Sequence, residues 1–225
     1  GSIFLKKKKK RISCTPVIIY SSEKDYLKTY KQFLFPAFET ICYNYDSYPL
    51  VVEGSEVGKL YDEITAEGDD FNQFMKALNT VTVSLCRMIA GDGEGATKLL
   101  ECHSSGAKTR QAAKNIAKSI ICSSLVKAAM FGADPDCGWI LGAIGYSGAN
   151  VDVNKIDVSF RSAAGEIAVC KDGAGVPFSE EIAKEILLEK EIEILVELNS
   201  GSAGATAWGC DLTYDYVKIN GDYRT

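Results

Sequence analysis

The chain has 225 residues, of which 46% are hydrophobic and 24% are charged, and its formal net charge at pH 7 is −5. This composition is typical of a folded globular protein with a sizeable core. The acidic balance argues against nucleic acid as a partner, and no apolar run in the sequence is long enough to cross a membrane. The exception is a run of six basic residues at 6–11, which is typical of a solvated tail.

The N-terminal third of the chain contains short predicted elements. Residues 17–20 are β-prone and follow Pro16, and Ser22 can cap a helix over residues 23–35. A further strand is predicted at residues 40–43.

A longer amphipathic helix is predicted over residues 69–90. Asp69 and Asp70 favour its N-terminus through the helix dipole. Its apolar side chains recur at helical spacing, at Phe71, Phe74, Met75, Leu78, Val81, Leu85 and Ile89.

Helices and strands then alternate irregularly to the end of the chain. Strand patterns occur at residues 99–102, 156–160, 166–169 and 191–198, and residues 201–209 are β-prone. Helices are predicted at residues 108–122, 125–131, 139–146 and 179–188, and residues 212–219 form a helical or turn-like tail. Because no regular βαβ repeat is present, we predict an α/β layered sandwich rather than a Rossmann sheet.

Cysteine and histidine usage limits the chemistry. Eight cysteines are scattered without a CxxC pair, and we interpret them as reduced core residues of a cytosolic protein. His103 is the only histidine, so a zinc site or a Ser-His-Asp triad is not expected. We expect His103 to be a surface residue near a turn.

The most informative motif is Asp-Gly-Glu-Gly-Ala-Thr-Lys at residues 92–98, directly after the long helix. In one interpretation, the Glu94 carboxylate binds a ligand's ammonium group and Lys98 binds its carboxylate, as suits an amino acid. In the other, the motif only ends the helix, with Gly91 or Gly93 in the left-handed conformation. Spacing alone leaves both open.

Three segments together indicate a family. They are residues 92–98, the run Leu-Val-Lys-Ala-Ala-Met-Phe-Gly-Ala-Asp-Pro at 125–135 with Gly-Tyr-Ser-Gly at 145–148, and the tail at 201–225. The tail is the most specific, reading Gly-Ser-Ala-Gly-Ala-Thr-Ala-Trp-Gly-Cys-Asp-Leu-Thr-Tyr-Asp-Tyr-Val-Lys-Ile-Asn-Gly-Asp-Tyr-Arg-Thr. Over residues 61–225 the chain resembles the β-chain of ornithine acetyltransferase, also called glutamate N-acetyltransferase.

The resemblance implies a fold and a reaction. The fold is the layered sandwich of that family, with a nucleophile at the N-terminus of the β-chain. A precursor would cleave itself between Cys14 and Thr15, leaving residues 1–14 as a tail or remnant and residues 15–225 as the domain. Thr15 would then carry acetyl from N-acetylornithine, or from acetyl-CoA, to glutamate in arginine biosynthesis.

The resemblance also implies a substrate pocket and partners. Thr15, Glu94, Asn220 and Thr225 would bind the substrate. No cofactor or metal is expected; the resemblance leaves open whether acetyl-CoA serves as a co-substrate. The α-chain of the same precursor would be the partner in an αβ oligomer in the cytoplasm. The alternative is an inactive homologue that binds an amino acid or a partner chain.

Overall fold

The structure is a computed structural model that describes residues 17–20, 50–53 and 67–222. Several predictions lie outside the described residues: the basic run at 6–11, the helix at 23–35, the strand at 40–43, and the site residues Cys14, Thr15 and Thr225.

The chain divides into two compact units, residues 1–86 and residues 87–225. In the first unit, strands β1 (Val17–Tyr20) and β2 (Leu50–Glu53) pair in parallel, with Val17 opposite Leu50. The strand predicted at residues 17–20 is therefore confirmed, and it consists of β-branched and aromatic residues that favour extended structure.

Helix α1 (Asp69–Gly91) confirms the long predicted helix and runs across the boundary of the two units. Leu78 and Thr82, one turn apart, are buried. Phe74 and Val81 belong to the apolar pattern but remain exposed. The periodicity therefore predicts the helix correctly, but some of the apolar side chains in the predicted pattern are exposed.

The second unit is built on a six-stranded sheet. Its strands are β3 (Leu99–Ala107), β4 (Asp157–Ser162), β5 (Gly165–Lys171), β6 (Ala174–Gly175), β7 (Glu191–Glu197) and β8 (Ala203–Cys210). Their order is β6-β5-β4-β7-β3-β8; β3 and β7 are parallel, and the other neighbours are antiparallel. The predicted hairpin is β4–β5, and the alternating segment at 191–198 is β7. A sheet with one parallel pair agrees with a layered sandwich rather than a Rossmann sheet.

Among the described residues, five further α-helices follow α1, besides a short 3-10 helix at Val153–Lys155. They are α2 (Arg110–Cys122), α3 (Ser124–Gly132), α4 (Cys137–Gly145), α5 (Glu180–Leu187) and α6 (Tyr214–Gly221). Threonine and serine side chains cap four of them: Thr109 for α2, Ser123 for α3, Ser179 for α5 and Thr213 for α6. Each side-chain oxygen accepts a hydrogen bond from an amide of the first turn, which would otherwise lack a partner.

The core lies between one face of the sheet and the helices α2 and α5. Alternate residues of β3 and β7, such as Leu100 and Ile194, point into it and are completely buried. Ile116 and Ile120 of α2 are also completely buried. Because side chains alternate along a strand, the residues between them lie on the opposite face.

Two predictions made from local sequence need correction here. His103 lies in the middle of β3 rather than near a turn, because pairing with β7 and β8 extends the predicted strand from residue 102 to Ala107. Among the cysteines, Cys102, Cys170 and Cys210 are buried and reduced as expected, whereas Cys122 is exposed at the end of α2.

Candidate active site

The candidate site begins at the loop of residues 92–98, which joins α1 to β3. Its amide at Ala96 donates to the carbonyl of Gly93 (2.8 Å), which forms a tight turn. The left-handed residue is Gly95, with a φ of +84°, so the expectation of Gly91 or Gly93 in that conformation is wrong. A Cβ on Gly95 would lie 2.6 Å from the backbone nitrogen of Tyr216. Helix α6 therefore packs directly on the loop backbone, and that approach requires glycine.

Asp211, just after β8, fixes the far end of this loop. One carboxylate oxygen, Oδ1, accepts from the amides of Thr97 (2.8 Å) and Lys98 (3.0 Å). The other, Oδ2, accepts from the Thr97 hydroxyl (2.5 Å). Asp211 is completely buried, so these charge-assisted bonds replace its hydration.

Thr213 fixes the near end of the loop. Its hydroxyl donates to the carbonyl of Gly95 (2.5 Å) and accepts from the amide of Tyr216 (2.8 Å). The second bond caps α6, so one hydroxyl holds both the loop and the start of the helix.

Asn220, in the last turn of α6, meets the loop at Glu94. Its Nδ2 donates to the backbone carbonyl of Glu94 (3.3 Å) and to that of Tyr216 (2.8 Å). Glu94 and Asn220 are both exposed. The carboxylate of Glu94 has no hydrogen-bond or ion-pair partner within the described ranges. Two of the predicted site residues are therefore brought together, whereas Cys14, Thr15 and Thr225 lie outside the described residues.

Lys98 does not face a ligand, and that part of the motif's interpretation is wrong. The residue is 8% exposed, and its Nζ donates to the carbonyls of Met130 (2.6 Å) and Leu187 (2.8 Å). These carbonyls lie at the C-terminal ends of α3 and α5, where the helix dipole favours a cation. Burial lowers the pKa of Lys98, and the nearby Asp211 opposes that shift.

Sequence reasoning did not single out Asp211 and Thr213. Both stand in the C-terminal tail that indicated the family. For Thr213 a signal was available, because a threonine directly before a helical segment is a typical N-cap. Asp211 gives no such signal, since its partners are 113 and 114 residues away.

A second polar cluster lies on the face of the sheet opposite the core, on β3, β4 and β7, together with Arg87 of α1. Arg161 donates to Glu193 (2.5 Å), and Arg87 pairs with Glu101. His103 Nε2 lies 3.3 Å from carboxylate oxygens of both Glu101 and Glu193. Burial lowers the pKa of His103, partly offset by Glu193. The hydrogen bond from Arg161 lowers the pKa of Glu193.

This second cluster consists of side chains that satisfy one another. His103 Nδ1 also bonds the hydroxyl of Thr206 (3.1 Å). Such an arrangement is a structural ion-pair network. Within residues 67–222 and the two short described strands, no group of three or more His, Cys, Asp or Glu could hold a metal ion. No described helix combines the length and the hydropathy that a membrane span requires.

Comparison with known proteins gives the family. The model of the ArgJ family matches residues 46–225. The arginine biosynthesis bifunctional protein ArgJ of Caldanaerobacter subterraneus is 51% identical over 180 residues, which are 80% of this chain and 44% of that protein. The glutamate N-acetyltransferase of Methanopyrus kandleri is 44% identical over 180 residues, which are 80% of this chain and 45% of that protein. The chain thus spans less than half the length of these relatives.

A solved structure agrees in fold. The crystal structure of the arginine biosynthesis bifunctional protein argJ of Bacillus halodurans has a TM-score of 0.79 and 35% sequence identity. The match covers 94% of this chain and 100% of that one. The predicted fold type is therefore confirmed, and so is the family resemblance: this chain belongs to the ArgJ family.

Proposed function

We propose that this chain is the part of a glutamate N-acetyltransferase that carries the nucleophile and the amino-acid pocket. It transfers acetyl from N-acetylornithine, or from acetyl-CoA, to glutamate in arginine biosynthesis. The observation that carries the proposal is the hydrogen bond from Asn220 to Glu94 across 126 residues. It joins two residues that the family resemblance assigns to one pocket. The names of the related proteins support the reaction.

The chemistry of the pocket suits a zwitterionic ligand. The exposed Glu94 carboxylate is without an internal partner in the described part of the chain, so it is available for an ammonium group. Asn220 uses Nδ2 on two backbone carbonyls, which leaves its Oδ1 as a hydrogen-bond acceptor for the same ammonium. In the proposal, Thr225 adds a hydroxyl to this pocket.

Thr15 acts as the nucleophile in this proposal. Cleavage between Cys14 and Thr15 frees the α-amino group of Thr15. This amino group takes the proton of the Thr15 hydroxyl while Oγ1 attacks the acetyl carbon of N-acetylornithine. The amide C–N bond breaks, and the proton passes to the departing ornithine amine. The amino nitrogen of glutamate then attacks the acetyl ester, which restores the threonine hydroxyl. No cofactor is needed for either step.

The proposal includes an α-chain partner in an αβ oligomer. Our chain covers all of the solved Bacillus halodurans chain but less than half of the curated relatives. This difference in length supports the proposal that the chain acts together with a second portion of the same precursor, the α-chain. The cytoplasmic location belongs to the same proposal and goes with the biosynthetic role in the relatives' names.

Acetyl transfer and mass spectrometry test the proposal together. The chain is mixed with the N-terminal portion of the Caldanaerobacter subterraneus relative, and acetyl transfer from N-acetylornithine to isotopically labelled glutamate is measured. We expect turnover, cleavage between Cys14 and Thr15, and an acetyl group on Thr15. Thr15→Ala should show none of these. An uncut wild-type chain without turnover would contradict the proposal and would indicate the inactive homologue.

Glu94→Gln tests the pocket separately. Loss of a charge-assisted contact costs about 1.5–3 kcal/mol, so we expect the KM for N-acetylornithine to rise roughly tenfold to a hundredfold. Glu181→Gln is the matched control, because Glu181 is an exposed carboxylate in the first turn of α5. Its KM should stay near the wild-type value. An unchanged KM in Glu94→Gln would show that Glu94 does not bind the substrate.

A further inference from the structure

The hydroxyl of Thr213 bonds both halves of the candidate pocket, the loop and the start of α6. It donates to the carbonyl of Gly95, the residue after Glu94, and it caps the helix that carries Asn220. We propose that Thr213 is a positioning residue that sets the spacing between Glu94 and Asn220, and thereby the affinity for the amino-acid portion of the substrate. This inference rests on the proposed function, because it takes these two residues as the pocket.

The Thr213 hydroxyl is bonded to the loop and to the helix at the same time. A threonine hydroxyl has one proton, and here that proton is given to Gly95. One of its lone pairs accepts from the amide of Tyr216. Thr213 is 4% exposed, so water cannot readily replace either bond. A shift of the loop therefore pulls on the start of α6, and the reverse also holds.

Close packing makes the spacing specific. Gly95 has a φ of +84°, and a Cβ on it would overlap the backbone of Tyr216. At Gly95 the loop and the helix thus meet backbone to backbone. Since Asn220 is on the same helix, the position of the helix start determines where its side chain meets Glu94.

The loop has a second, independent anchor, which allows Thr213 to be changed without loss of the fold. Asp211 holds Thr97 and Lys98, and Lys98 bonds the ends of two helices. These contacts remain when the Thr213 hydroxyl is removed. The near end of the loop, with Glu94, is then free to move relative to Asn220.

The test compares three variants in the acetyl-transfer assay. Thr213→Val replaces the hydroxyl by a methyl group of similar size, and we expect the KM for N-acetylornithine to rise about tenfold with little change in kcat. Thr213→Ser keeps the hydroxyl and should restore the wild-type KM. Thr109→Val is the matched control, because Thr109 caps α2 by accepting from the amide of Ala112 (3.1 Å). It should lower Tm less than Thr213→Val does, because Thr109 is exposed, and leave KM unchanged.

Two outcomes would overturn the inference. One is a KM in Thr213→Val that stays at the wild-type value while the wild-type chain turns over; the proposed function then survives and the positioning role does not. The other is an equal rise in KM in Thr109→Val, which would mean that any lost cap has this effect.

A measurement without substrate separates the positioning role from the reaction. The NMR shifts of the Asn220 side-chain amide should move in Thr213→Val and stay in place in Thr109→Val and Thr213→Ser. A wild-type chain without turnover, together with these shifts, would reject the proposed function and keep the positioning of Asn220. Unmoved shifts in Thr213→Val would reject the positioning itself.

Discussion

The two polar regions of the second unit use their carboxylates in opposite ways. In the cluster on the sheet, Glu193 and Glu101 each have an arginine partner, Arg161 and Arg87. At the junction of the loop with α6, the described residues offer the Glu94 carboxylate no partner. The adjacent buried Asp211 instead accepts three hydrogen bonds from the loop. An unpaired carboxylate on a loop that is held firmly by Asp211 suits the binding of a cation.

The energies of the two regions should differ as well. Arg161 and Glu193 are both partly exposed, and pairs of that kind contribute about 0–1 kcal/mol. Asp211 is completely buried, so a lost bond there leaves backbone amides without a partner and without water. We therefore expect the junction to contribute more to stability than the cluster on the sheet.

Asp211→Asn should have the largest effect. An amide group can offer only one acceptor oxygen to the loop, so at least one of the loop donors loses its partner. We expect the free energy of unfolding in urea to fall by about 3 kcal/mol. Asp157→Asn is the control, because Asp157 also accepts a hydrogen bond from a backbone amide, that of Asp172 (2.9 Å), but its side chain is 20% exposed. An equal loss in both variants would contradict the role of burial.

Lys98→Met should have an intermediate effect. The methionine keeps an apolar stem of similar length but leaves the carbonyls of Met130 and Leu187 without their donor. We expect a loss of about 2 kcal/mol in the same denaturation experiment, with the KM for N-acetylornithine little changed. A large rise in KM in this variant, with the stability of the wild type, would indicate that Lys98 binds the substrate.

His103 should have the smallest effect, and one that depends on pH. Its folded pKa lies below the ordinary value of about 6.5, so its stabilising contribution is complete above that pH and is lost as the pH falls through it. The side chain is partly exposed, so solvent screening keeps the loss below about 1 kcal/mol between about pH 8 and about pH 5.5.

The matched experiment is the same pH series on His103→Gln. This variant should lose less stability over that range than the wild type, since only the histidine titrates there in the cluster. Identical pH profiles would show that His103 does not carry the effect. A fall in acetyl transfer in His103→Gln at neutral pH would contradict the separation of the two regions.

Local sequence was sufficient for most of the elements. The helical spacing predicted α1 to within one residue, and the alternation at residues 191–198 predicted β7. The extension of β3 beyond Cys102 was missed, because the residues after it are polar and the strand continues through pairing with β7 and β8. The partnership of Glu94 with Asn220 came from the family resemblance rather than from any spacing.

The sequence by itself determined most of the helices and strands, and the family, because these depend on residues that are neighbours along the chain or on a long specific match. Tertiary structure alone decided which groups of the motif at 92–98 face outward. It buried Lys98 under two helix ends, it placed the left-handed turn at Gly95, and it bonded Asp211 to Thr97 across 114 residues. Such choices depend on packing between distant segments, which no local pattern encodes.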